Sequence, residues 1–283
     1  MSQAEEKSDV PPGSETRAVD LFAVRSVLFL PASNSRAIDK ARGAGADLVV
    51  LDLEDAVKPE DKLAARQAAV DAVAEPWAMP VAIRVNGIAS EWFDDDVAAV
   101  ADSLADLVVL PRAESADAIQ ATWQVAQRGV LAMIETAAGV LAAPVLAREV
   151  AGMIAGTNDL SSDLRLPPDA GRAPLQMALQ SIVLAGRAAG VAVFDGVFNG
   201  LDDPDGFLAQ AEEGYWLGFD GKSLIHPSQI EPCHRAFAPS DAQIDRARRL
   251  LEAATGGAER FEDQMIERMH VEAAQRLLGR VGR

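Results

Sequence analysis

Six places in this chain set carboxylates, amides or a cation directly after short apolar runs. They are Asp52-Leu-Glu54-Asp55, Arg84-Val-Asn86-Gly87, Glu135-Thr136, Gly156-Thr-Asn-Asp159, Asp195 and, beside the last run, Lys222. An acid-rich set with one prominent arginine and no His or Cys suits a hard cation, Mg²⁺ or Mn²⁺, rather than zinc. Mg²⁺ commonly takes one or two protein carboxylates and leaves its other positions to water and substrate oxygens. Glu135 and Asp159, closing neighbouring runs, supply such a pair. The competing reading makes each acid a solvated N-cap of the helix that follows. It fits Glu135 least, because the run before it, Gly129 to Ile134, is fully apolar.

The elements that must position these residues repeat one pattern, an apolar run followed by an Ala-rich amphipathic stretch. The runs are Arg25–Pro31, Asp47–Leu53, Pro80–Val85, Asp106–Leu110, Gly129–Ile134, Val150–Ala155, Val191–Phe194 and, least distinct, Phe219–Ile225. Uninterrupted apolar runs read as strands buried on both faces, as in a parallel sheet covered by helices. Between them, Asn34–Ala44 and Pro59–Val73 have helical spacing. Eight such units predict a TIM (β/α)₈ barrel, whose reacting residues sit at the C-terminal ends of the strands. A doubly wound open sheet would carry a glycine-rich loop after its first strand, and Pro31-Ala-Ser-Asn34 is not one.

The predicted organisation is a disordered lead-in at residues 1–22, a barrel at 23–238 and a helical C-terminal extension at 239–283. In the extension, Ser240-Asp-Ala-Gln243 caps one helix to Ala254, Thr255-Gly-Gly257 breaks it, and a second runs from about Met265 to Leu278, with no strand. The net charge of −17 excludes nucleic acid as a general partner but leaves room for a phosphorylated small ligand on a local basic cluster. No apolar run is long enough to span a membrane, and the acidic N-terminus is a poor signal peptide. With Cys233 the only cysteine, no intrachain disulfide can form, and a reducing, cytoplasmic setting is expected. Three histidines disfavour a multi-His zinc site.

Seven segments occur in an order that carries a resemblance. They are Arg25-Ser-Val-Leu-Phe-Leu-Pro-Ala32, Asp52-Leu-Glu-Asp-Ala-Val57, Ile83-Arg-Val-Asn86, Leu110-Pro-Arg-Ala-Glu114, Met133-Ile-Glu-Thr-Ala137, Gly156-Thr-Asn-Asp159 and the stretch Gly218 to Gln229. Together, over about residues 25–280, the chain resembles the citrate lyase β-subunit-like family, within the HpcH/HpaI aldolases and malyl-CoA or citramalyl-CoA lyases.

The resemblance implies Glu135 and Asp159 as metal carboxylates, with the metal holding a 2-oxo acid by its carboxylate and oxo oxygen. It implies Glu54 and Asp55 as acids orienting metal-bound water, and Arg84 as the cation facing the enolate formed when the C–C bond breaks. A structural ion pair of Arg84 with the strand-two acids is compatible with that role. Amides of Gly156, Thr157 and Asn158 would take the substrate carboxylate. For a CoA thioester, Arg36 and Lys40, one helical turn apart, resemble the basic pair that meets the phosphates, although a solvated helix face would look the same. Phe29, Pro31 and the Ile225-His226-Pro227 turn would flank the pantetheine, His226 in a structural role. Two departures stand out. Arg112 replaces a common Lys, and Met265-Ile266-Glu267 replaces a Met-Ile-Asp motif whose Asp transfers a proton in a neighbouring subunit's site. Glu267 can do the same or be a helix-surface acid.

The expected activity is therefore an oxo-acid lyase: a 3-hydroxyacyl-CoA such as malyl-CoA or citramalyl-CoA, cleaved to an acyl-CoA and a 2-oxo acid, or the reverse. The alternatives are an aldolase on free hydroxy-keto acids, a citrate lyase subunit working with a carrier protein, and a non-catalytic CoA- or metal-binding protein. The family also implies a homotrimer or hexamer.

Overall fold

A computed structural model describes residues 19–255 and 257–279. Most of residues 1–22, predicted as a lead-in, thus lies outside the described residues. The eight apolar runs form β1 (Ser26–Pro31), β2 (Leu48–Asp52), β3 (Val81–Arg84), β4 (Leu107–Leu110), β5 (Gly129–Ile134), β6 (Gly152–Ala155), β7 (Ala192–Asp195) and β8 (Gly221–Leu224). All neighbours pair in parallel, and β8 returns to β1 with Val27 opposite Ser223, closing a TIM barrel.

The helices are α1 (Ser35–Ala41), α2 (Lys62–Ala74), α3 (Phe93–Ala101), α4 (Ala116–Ala126), α5 (Ala137–Leu146) and α6 (Thr157–Asp163). They continue with α7 (Gln176–Ala189), α8 (Pro204–Leu217), α9 (Ile230–Phe237), α10 (Asp241–Ala253) and α11 (Arg268–Leu278). Two apolar layers result. The larger lies between sheet and helices, and the smaller fills the barrel with Val27, Leu48, Val50, Ala82, Val109, Leu131, Met133, Ile154 and Phe194. Strand side chains alternate between these layers with a period of two. That parity decides the site, because Asp52 continues the inward series 48/50, Arg84 follows Ala82, and Glu135 follows 131/133.

Two boundaries differ from the sequence reading. The barrel starts before residue 23: a 3-10 turn at Leu21–Ala23 buries Leu21, which with Val24 packs into the barrel interior. The apolar stretch Leu21–Val24 is too short, and too close to β1, to show a period of its own. The C-terminal extension does contain strands, β9 (Glu259–Phe261) and β10 (Gln264–Ile266), an antiparallel hairpin, so its second helix starts at Arg268 rather than Met265. Strands of three residues are too short to show alternation. The hairpin turns at Glu262, whose φ of 55° is left-handed, and it shares a separate small core of Ala247, Leu250, Phe261, Ile266 and Ala274 with the two helices. The Ser240/Gln243 capping box on α10 is present as predicted.

Candidate active site

The C-terminal ends of the strands open into a cavity of about 350 Å³ whose lining includes Phe29, Pro31, Asp52, Asp55, Arg84, Glu135 and Asp159. Asp52 organises one wall. Its Oδ1 accepts from the Glu54 N–H at 2.8 Å and its Oδ2 from the Ala56 N–H at 3.1 Å, which folds the acidic turn back over the strand. Arg84 forks the same carboxylate, Nε to Oδ1 at 2.6 Å and Nη2 to Oδ2 at 2.7 Å. Such a two-point pair fixes the guanidinium plane. Its third nitrogen, Nη1, sits 2.9 Å from Glu54 Oε2 and 3.7 Å from Asp55 Oδ2, and the guanidinium lies 5.4 Å from the Phe29 ring. Burial works against the charge of Arg84, but the field and bonds of Asp52, then Glu54 and Asp55, outweigh it and hold its pKa above the ordinary arginine value. Arg84 is thus both the ion-pair partner of the strand-two acids and a wall of the cavity.

Glu135 forms the opposite wall and is buried. Its Oε1 accepts the Arg112 N–H at 2.6 Å, and Arg112 adopts a left-handed φ of 47° in the turn after β4. A non-glycine residue in that conformation is held there at a cost of order 1 kcal/mol or more, and such residues concentrate at functional sites. The other oxygen, Oε2, is buried with no hydrogen-bond partner. Gly156 makes room for it: a Cβ at that position would lie 2.4 Å from Oε2. Asp159, in the first turn of α6, is half-buried and completes the wall.

The acids outnumber the cations that could neutralise them. Burial pushes the Glu135 carboxyl up to about 7, against the Arg112 N–H bond and with the help of Asp159. Burial likewise pushes Glu54 up to about 8, the nearby Arg84 opposing and Asp55 and Glu135 adding. Asp159 is raised by burial and then by Asp55. Arg84 is already spent on Asp52, so Glu135 and Asp159 face one cavity short of positive charge, with a carboxylate oxygen lacking a donor. A Mg²⁺ or Mn²⁺ ion on two carboxylates fits that deficit. Among the described residues no group of three or more His, Cys, Asp or Glu offers an all-protein cage, so the remaining positions would go to small molecules.

The structure brings together Phe29, Pro31, Asp55, Arg84, Glu135, Gly156, Thr157, Asn158 and Asp159 around this cavity, with Glu54 behind Arg84. The Gly156 N–H, however, donates to the Ile134 carbonyl at 3.0 Å, so it is used by the barrel and is not free for a substrate carboxylate. Arg36 and Lys40 are exposed on α1 and do not line the cavity. Pro227 is exposed on a 3-10 turn, and Ile225 meets the cavity instead. Glu267 is the exposed N-cap of α11, its N–H donating to His270 Nδ1 at 3.0 Å, and lies away from the lining. Asp195 and Lys222 point outward. Lys222 donates to Asp195 (2.9 Å) and to Gln210 of α8 (2.7 Å), while its neighbour Ser223 faces the cavity. Sequence reasoning passed over Asp52 as a site residue and the Arg112 amide. The inward 48/50/52 series marks the first, whereas the second depends on a backbone angle.

The sequence matches the family profile of HpcH/HpaI aldolase/citrate lyase over residues 25–227. A (3S)-malyl-CoA thioesterase of Cereibacter sphaeroides (strain ATCC 17025) is 41% identical over 270 residues, covering 90% of this chain and 94% of that one. The citrate lyase subunit beta of Escherichia coli K12 is 34% identical over 251 residues, 83% of each chain. Among solved structures, CitE of Mycobacterium tuberculosis in complex with magnesium, acetoacetate and coenzyme A superposes with a TM-score of 0.82 at 33% identity, covering 93% of this chain and 100% of that one. An acid-lined barrel mouth matched over that span, and to those relatives, makes the chain a lyase of the HpcH/HpaI aldolase/citrate lyase family.

Proposed function

We propose that the chain is a Mg²⁺-dependent carbon–carbon lyase that cleaves, or in reverse forms, a 3-hydroxyacyl-CoA such as malyl-CoA or citramalyl-CoA, giving a 2-oxo acid and an acyl-CoA. The observation that carries this reading is the buried, donor-free Oε2 of Glu135 facing Asp159 and Arg84 across one cavity. Glu135 and Asp159 would hold the metal, Mg²⁺ or Mn²⁺. When bound, it would polarise the oxo oxygen and template the adjoining carboxylate. The mycobacterial CitE with magnesium and coenzyme A supports both ligands.

Arg84 then does what a fixed cation does in a dry site: it favours the enolate that develops on the acyl fragment as the bond breaks. The Asp52 fork holds it in place, so no reorganisation is needed during the reaction. Asp55 on the cavity wall and Glu54 behind it orient water, and Thr157 and Asn158 meet the oxo acid. Phe29 and Pro31 flank the thioester arm, with Pro227 at its outer edge, while Arg36 and Lys40 on the helix that follows β1 meet the phosphates. Glu267 supplies the proton transfer that breaking the bond requires. Because it does not line its own chain's cavity, that role needs a second copy of the chain, in keeping with a trimer or hexamer. The reading also places the protein in the cytoplasm. No helix among the described residues is long and apolar enough to cross a membrane.

Thioester hydrolysis is the second reading, favoured by the 41%-identical malyl-CoA thioesterase. One panel separates the cases. Malyl-CoA, citramalyl-CoA, citryl-CoA and free 4-hydroxy-2-oxo acids are incubated separately with enzyme and Mg²⁺, and products are identified. A 2-oxo acid plus acyl-CoA supports the proposal. Free CoA without an oxo acid means hydrolysis, cleavage of free acids alone means an aldolase, and turnover only with a carrier protein means a citrate lyase subunit.

A further inference from the structure

The first residue of α2, Lys62, is almost fully buried, 6% exposed, although it carries a long charged side chain. Its Nζ donates to the Leu53 carbonyl at 2.7 Å, the Glu54 carbonyl at 2.7 Å and Asn86 Oδ1 at 2.6 Å. The Trp92 ring lies 5.2 Å away. All three N–H donors are thus met by neutral oxygens, and among the described residues no carboxylate lies within ion-pair distance of it. Burying an ammonium without a carboxylate partner is costly even when its donors are satisfied. What that arrangement secures is the backbone of the acidic turn.

Asn86 extends the link. Its Nδ2 donates to Asp96 Oδ2 at 2.6 Å and its N–H to the same oxygen at 3.0 Å, while Arg66 Nε donates to Asp96 Oδ1 at 2.7 Å. The turn after β2, the loop after β3 and α2 meet at the Lys62 nitrogen, and Asn86 and Arg66 carry the link on to Asp96 of α3. The turn so tied carries Glu54, whose Oε2 sits 2.9 Å from Arg84. We infer that Lys62 is a positioning residue for the reaction: it holds the Leu53–Glu54 backbone so that Glu54 meets Arg84 at the cavity wall. This rests on the lyase reading above. It goes beyond it by placing a determinant of rate outside the cavity.

The test is a double-mutant cycle of Lys62→Met, and of the milder Lys62→Gln, with Glu54→Gln. Each variant is assayed on the thioester that the wild type cleaves. A residue that orients a reacting group costs about 10–100-fold when removed. Lys62→Met is therefore expected to lower kcat by about tenfold or more with KM changed less than about threefold. The same substitution made in Glu54→Gln should cost little more, because its route is already gone. Equal losses in both backgrounds, or a kcat within about threefold of wild type for both Lys62 variants, overturns the inference. If the wild type cleaves no thioester, the lyase reading fails by itself. The cycle is then read on urea unfolding, where coupling between positions 62 and 54 sustains the link and strict additivity ends it.

Discussion

The two mouths of the barrel treat their carboxylates in opposite ways. At the N-terminal mouth, Asp47 is met on every side. Its Oδ2 takes the Arg25 N–H at 2.8 Å and Nε at 3.1 Å, and His234 Nε2 lies 3.2 Å away. Burial pushes its pKa up, but the bonds from His234 and Arg25 prevail and hold it well below the usual carboxylate range. At the C-terminal mouth, Glu135 and Glu54 are pushed up to about 7 and about 8 because burial is not answered by enough donors. The lesson is that a satisfied acid holds the fold together, whereas an unsatisfied one stores a demand for a ligand. Barrels characteristically divide stability and chemistry between their two ends in this way.

The largest expected effect is on turnover. Glu135→Gln or Asp159→Asn should reduce Mg²⁺-dependent cleavage by at least about a hundredfold, with circular dichroism unchanged. Near wild-type rates at limiting Mg²⁺ would remove the metal from these two residues and collapse the contrast between the mouths.

Stability should move in opposite directions at the two ends. A carboxylate whose folded pKa is raised destabilises once pH passes its unfolded value, and the penalty is complete above the folded value. Glu135→Gln in metal-free protein should therefore stabilise by up to about 3 kcal/mol at pH 8, the gain appearing between about pH 4.5 and 7 and vanishing below. Asp47 has a depressed pKa, so its contribution is fully present above the unfolded carboxylate range, declines below it, and is gone only once pH falls through the depressed folded value. Asp47→Asn should destabilise by about 1–3 kcal/mol at pH 7, a loss that begins to shrink only below about pH 4. Urea unfolding across pH measures both, and losses of the same sign would erase the distinction.

Metal affinity should share the pH dependence of the upper mouth. A ligand must be deprotonated to bind, so Mg²⁺ affinity should tighten roughly tenfold per pH unit up to about pH 7 and level off above it. Calorimetric titration showing a flat profile from pH 5 to 8 would mean that Glu135 does not bind the metal. The smallest effect belongs to the exposed helix. Arg36→Ala with Lys40→Ala should raise KM for the acyl-CoA about fivefold, leave kcat alone and weaken further with salt, as solvated charges do. An unchanged KM would free α1 from any part in CoA binding.

The local pattern of the chain determined the barrel, because apolar runs and helical periods are properties of neighbours along the sequence. For the same reason it showed which polar residues end strands: Glu54, Arg84, Glu135 and Asp159 stand where the runs stop. It could not sort them by direction. Asp195 ends a strand too and Lys222 sits near the start of β8, yet barrel closure turns Lys222 outward to Gln210 and Ser223 inward. Whether an acid is satisfied also depends on distant partners: Arg112 reaches Glu135 across 23 residues through a left-handed turn, and His234 reaches Asp47 from α9. Glu267 sits in a small hairpin-and-helix unit whose packing no periodicity announced, and its place relative to the cavity followed only from the folded chain. Strand ends are local facts, while burial, direction and missing donors are sums over the whole molecule, and only the tertiary structure performs them.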